Sequence, residues 1–132
     1  MLYDMIETDS LLIARPTGTL DATLAEEIIE FIEMKEELHG NGFNRFCDLT
    51  RLTGIELLSE DVRHLADRRR WFNPNMITVK SAFLATDPLA FGIARMYEQI
   101  LMSPRIEVSV WDKMQGAADW LGVKVDKLKR SP

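Results

Sequence analysis

The stretch SAFLATDPLAFG, residues 81–92, restricts the fold more than any other part of this chain. Its AFLA run carries no charge, so a strand formed there is buried on both faces and belongs in the middle of a sheet. Two residues later, Asp87-Pro88 has the pattern of a helix start. The carboxylate can accept from the first free backbone N–H groups, and proline suits the first helical position because its missing N–H is not needed there. A doubly buried strand handed directly to a helix implies a sheet covered by helices, the arrangement of α/β domains. With 132 residues, 46% of them hydrophobic, the chain can bury one such core without disulfides or metal.

The remaining segments follow the same alternation. Tyr3–Glu7 and the apolar run from Leu11 flank a turn at Thr8-Asp9-Ser10 and read as an opening β-hairpin, closed by Pro16 and Gly18. DATLAEEIIEFIEMKEELHG has the helix period: Leu24, Ile28, Phe31, Ile32 and Leu38 form a stripe, with Glu26, Glu30, Glu33 and Glu37 largely opposite. Asp21 is its expected N-cap and Gly40 its stop. FNRFCDLT reads as a buried strand, GIELL as a short segment, and SEDVRHLADRRRWF as a helix capped by Ser59, with acids in its first turn and Arg68, Arg69 and Arg70 in its last.

In the helix after Asp87, Leu89, Ile93, Met96 or Tyr97, and Ile100 form the expected inner stripe. Gly92 costs about 1 kcal/mol against alanine there, which points to a close helix-to-sheet approach. IEVSV alternates as a strand, and Asp112 opens a last helix that Gly122 ends. The expected order is ββαβαβαβα: a mostly parallel central sheet of about five strands with about four helices, one domain over 1–122, and a basic, flexible tail over 123–132.

Four segments in this order resemble the SpoIIAA-like branch of the STAS superfamily of anti-sigma-factor antagonists. They are G-T-L-D-A (Gly18 to Ala22), C-D-L-T (Cys47 to Thr50), A-T-D-P-L-A-F-G-I-A-R-M-Y-E (Ala85 to Glu98) and A-A-D-W-L-G (Ala117 to Gly122). The resemblance implies a STAS-type α/β sandwich and a binding module; some relatives pair with anti-sigma kinases, and others bind small molecules or sit beside membrane transporters. It also implies a phosphorylated Ser or Thr at the start of the helix after the D-L-[ST] strand, yet that position falls at Glu56-Leu57-Leu58. Ser59 is close, but Glu56, Glu60 and Asp61 would repel an added dianion. Ser59 is therefore read as a helix cap, and Glu56 with its acidic neighbours as holding the surface in a phosphorylated-like state.

Other classes of function lack their residues. His39 falls at a helix end and His64 lies three residues before Asp67 without a nucleophile, so no catalytic constellation is present and no enzyme is expected. No ligand spacing for a metal and no glycine-rich phosphate loop appears, so no cofactor is expected. Cys47 cannot form an internal disulfide, and the N-terminal residues lack a leader pattern, giving a cytoplasmic expectation. No apolar run reaches the length of a bilayer span.

Charge is uneven: residues 1–61 hold 4 Lys/Arg against 14 Asp/Glu, and residues 62–132 hold 12 against 7. The acidic half argues against nucleic acid. In the basic half, Arg68, Arg69, Arg70, Trp71 and Phe72 are candidates for anion or peripheral membrane contact. The competing reading turns the two aromatics into the core and pairs the arginines with the acidic half. Thr86 and Asp87, at the edge where ligands of open α/β sheets collect, are candidate ligand contacts. The expectation is a non-catalytic module acting through a partner protein or its own homodimer. The alternative is a carrier or sensor of a small amphipathic ligand or lipid.

Overall fold

The computed structural model describes residues 2–39, 42–72 and 77–129, and the expected stop at Gly40 lies outside them. The elements are β1 (Leu2–Ile6), β2 (Leu11–Arg15), β3 (Gly18–Asp21), α1 (Ala22–Leu38), β4 (Asn44–Asp48), β5 (Leu52–Glu56), α2 (Ser59–Trp71), β6 (Val79–Leu84), α3 (Pro88–Leu101), β7 (Ile106–Trp111), α4 (Met114–Leu121) and α5 (Val125–Lys129). Five strands form the main sheet in the order β1-β2-β4-β6-β7. Its β2-β4, β4-β6 and β6-β7 pairs are parallel, and β1 is antiparallel to β2 as the second arm of the hairpin. The expected mostly parallel sheet is present, with β6 inside it.

Two strand features depart from the expected order. Gly18–Asp21, read as the end of the hairpin, a family-like segment and a helix cap but not as a strand, forms β3 and pairs in parallel with β5, which contains the GIE of the short segment. Together they make a separate two-stranded sheet. Neither strand has the apolar run that marks a buried strand, so periodicity gave little sign of them.

Strand alternation sends side chains to two faces of the main sheet. Leu11, Ile13, Phe46, Ala82 and Leu84 pack with Ala117, Ala118 and Leu121 of α4 and with Leu128 of α5. On the opposite face, Leu12, Arg45, Ser81 and Val108 lie side by side in register, followed two residues later by Ala14, Cys47, Phe83 and Val110. Helices α1, α2 and α3 cover that face.

The helix ends follow the expected chemistry at two positions. The Asp21 carboxylate accepts from Leu24 N–H, and that of Asp87 accepts from Leu89 and Ala90 N–H. At α2 the expectation fails by one residue. Leu58 is the cap, and Asp61 reaches back to accept from its N–H at 2.9 Å, while Ser59 is the first helical residue. Asp61, three residues past the cap, thus closes the helix start on the cap's own N–H, while leucine at the cap has no side-chain acceptor for the first-turn N–H groups that a serine there would receive.

The buried stripe of α3 is Ala90, Ala94 and Leu101 rather than one led by Leu89, which is 57% exposed. Small residues let α3 lie close to its neighbours without a large side chain between them. Gly92 faces open space, so the expected close approach is not there. It occurs at Gly116, where an added Cβ would sit 2.7 Å from the Trp111 ring. The last long helix starts at Met114 with Lys113 as its cap, rather than at Asp112, and Gly122 ends it in the left-handed conformation.

The expected flexible tail is corrected over its described part. Residues 125–129 form α5, Leu128 is 1% exposed, and its carbonyl accepts from Arg15 Nη2 at 3.1 Å. Leu128, with Val123 and Val125 packed against the same cluster and Lys127 paired with Asp9, anchors this basic segment on the apolar face of the sheet. None of the helices described is long and apolar enough to cross a membrane.

Candidate functional site

Between the sheet and helices α1–α3 lies a cavity of about 120 Å³. Its floor is the second register line of the sheet, Ala14, Cys47 and Phe83, with Leu12 of the first. Ile28 and Ile29 of α1, Leu65 of α2 and Ala94 of α3 stand over it. Helix α1 presents isoleucines because the register set by Asp21 turns Ala25, Ile28 and Ile29 inward. The alanine at position 94 leaves room where a larger residue would fill the space.

At one side the apolar lining gives way to Arg45, Arg69, Ser81 and Tyr97. Arg69, 3% exposed, donates from Nη1 and Nη2 to the two oxygens of Glu36 at 2.8 and 2.7 Å, and from Nη1 to Glu33 at 3.3 Å. Arg68 donates to Glu33 at 2.7 Å. Arg45, 5% exposed, donates from Nη1 to Glu36 and from Nη2 to the Phe43 carbonyl, both at 3.1 Å. Its guanidinium lies 4.8 Å from the Phe43 ring centre. Two acids of α1 are thus held among two arginines of α2 and one of β4.

The surroundings act differently on these groups. Burial would lower the pKa of Arg69, but the hydrogen bonds and charge of Glu36 outweigh it and leave the value raised. At Arg45 burial prevails over the help of Glu36, and neighbouring Arg69 adds to the depression. Burial also raises Tyr97, keeping its interior hydroxyl protonated at neutral pH.

Cys47 on the cavity floor is inert for the same reason. Burial, with the charge of Asp48, pushes its thiol up to about 12, far from the thiolate that reacts. Ellman's reagent at mildly alkaline pH is therefore expected to label Cys47 only as fast as the protein opens. Rapid labelling of the native protein would show the floor to be accessible.

The candidates read from the sequence are dispersed. Arg68 and Arg69 face the acidic helix α1, and Arg70 bonds Asp67 together with the Ile100 and Leu101 carbonyls at the end of α3. An anion or a membrane surface at these arginines would have to compete with the partners they already hold. Arg68 and Arg69 pair with acids of the first half, whereas the partners of Arg70 are Asp67 and the end of α3. Trp71 does not enter the core: it is 83% exposed, while Phe72 is half-buried with its ring 5.8 Å from the Arg69 guanidinium.

Ser59 and Glu56 are exposed at the start of α2 and the end of β5. Thr86 and Asp87 are exposed too, but the Asp87 carboxylate already occupies the first N–H groups of α3. A ligand at that edge would have to displace it. Asp67, three residues after His64, pairs with Arg70 at 2.6 Å.

Glu33, Glu36, Arg45 and Tyr97 were missed as site residues. Helical periodicity placed Glu33 on the outer face, yet it is 7% exposed. A charge inside FNRFCDL, two residues before Cys47, was the signal that could have revealed Arg45.

The fold has counterparts among solved structures. One is an uncharacterized protein of the DUF3478 family from Shewanella loihica PV-4, described as having a SpoIIAA-like fold. It superposes with a TM-score of 0.57 at 17% identity, over 90% of each chain. The chain therefore has a SpoIIAA-like fold, as its motifs implied. No family model and no curated protein matches it.

Proposed function

We propose that this protein is a non-catalytic binding module that takes a small apolar or amphipathic molecule into the cavity beneath α1–α3. The cavity itself carries the reading. Native interiors hold few voids larger than a water molecule. The apolar space here, about 120 Å³ and lined by Leu12, Ile28, Ile29, Leu65 and Phe83, is larger than that. A cavity of roughly 150 Å³ lined by Leu, Ile and Phe binds benzene, so the space here suits a ring or a chain of roughly six carbons.

Titration with hexan-1-ol, followed through the methyl resonances, tests this. Ile28, Ile29 and Leu65 are expected to shift, with Leu11, Ile13 and Leu128 on the far face unchanged. No shift, or equal shifts on both faces, removes the reading.

A second reading, a protein-docking edge, is favoured by Leu58 and Leu89. They are 64% and 57% exposed at the starts of α2 and α3, among Glu56, Ser59, Glu60, Thr86 and Asp87. Large apolar side chains left exposed at two helix starts, each beside polar residues in the chain, suit a partner protein or a second copy of the chain. A native mass spectrum of gently purified protein separates the two: retained small-molecule mass supports the cavity, and a bare dimer supports the edge.

A further inference from the structure

We infer that the molecule taken into this cavity is a small monocarboxylate, its apolar body against Ile28, Ile29 and Leu65 and its carboxylate received by Arg45. The inference rests on the cavity reading above and adds the chemistry of the head group.

Arg45 stands in the middle strand of the sheet, lines the cavity, and lies in register beside Ser81. Two of its nitrogens are engaged by Glu36 and the Phe43 carbonyl, whereas its Nε is buried with no hydrogen-bond partner among the described residues. A buried N–H normally finds an acceptor, and a buried guanidinium normally finds its full complement of negative charge. Among the described residues the Nε of Arg45 lacks that acceptor, and the carboxylate paired with Arg45, Glu36, is shared with Arg69, which holds both of its oxygens at shorter distances. Burial, with the neighbouring charge of Arg69, lowers the pKa of Arg45.

One missing acceptor on a guanidinium that shares its counter-charge defines the head group. A neutral alcohol would supply the acceptor without charge, and a phosphate dianion would bring two charges to a single shared guanidinium. A carboxylate supplies a single charge and accepts the hydrogen bond, while Ser81 and Tyr97 offer neutral hydroxyls beside it. The cavity volume limits its body to roughly six carbons, straight or ring.

The test compares hexanoate with hexan-1-ol on the whole chain, following the methyl resonances and the Arg45 Hε–Nε signal. Hexanoate is expected to bind about tenfold or more tightly than the alcohol, as a charge-assisted hydrogen bond does over a neutral one, and to move the Arg45 signal. Arg45→Met is expected to erase that preference while leaving the alcohol bound. Should this variant fail to fold, the Arg45 signal of the native protein still decides. Equal affinities, or hexanoate binding that leaves the Arg45 signal still, overturn the carboxylate inference and leave the cavity reading standing. Silence from both probes overturns both.

Discussion

Replacing Arg69 with alanine is expected to destabilise the protein by about 3–5 kcal/mol, the loss seen when one member of a buried ion pair is removed. For a chain of this size that lowers the melting temperature by about 10–20 °C. Arg69 is 3% exposed and holds both Glu36 oxygens together with Glu33. Without it, the carboxylates of α1 face the interior with less positive charge. Arg68→Ala is the control: its side chain is 34% exposed, so water replaces much of what it provides and the expected loss is about 1 kcal/mol or less. Thermal unfolding of the two variants side by side measures the difference. A loss of about 1 kcal/mol or less in Arg69→Ala as well would mean that these ion pairs add little and that apolar contacts hold α1 on α2.

The second large effect is expected at the end of the described chain. Leu128→Ala should cost about 2–5 kcal/mol, as for other fully buried leucines, and lower the urea midpoint with the slope unchanged. Leu128 is 1% exposed and packs in the same cluster as Ile6, Leu11 and Leu84. Lys124→Ala, at an exposed site only four residues earlier, is expected to fall within about 0.5 kcal/mol of the parent. Should Leu128→Ala unfold with the parent's midpoint, α5 contributes nothing to the core and the segment behaves as the loose tail its composition suggested.

Both experiments concern residues whose type was legible and whose neighbours were not. The AFLA strand, the caps at Asp21 and Asp87, the helix stop at Gly122 and the alternation of strands and helices could be read directly. Each depends on contacts within a few residues or on a simple apolar period, so the chain alone determined an α/β domain with a mostly parallel sheet. Local pattern also identified which segments carry charge. It did not decide which charges are buried, because helix periodicity averages over a face, and Glu33 sits where the face meets Arg68 and Arg69 from a helix more than thirty residues away.

The strand pair β3-β5, the anchoring of α5 and the cavity depend likewise on what is brought opposite them. Arg45 shows the limit most directly. Its position in a strand follows from the sequence. That its guanidinium is enclosed beside an apolar cavity, with Glu36 shared between it and Arg69, arises only when α1, α2 and the sheet are packed together. Burial turns an ordinary surface charge into a group that requires a counter-charge, and burial is a property of the tertiary structure.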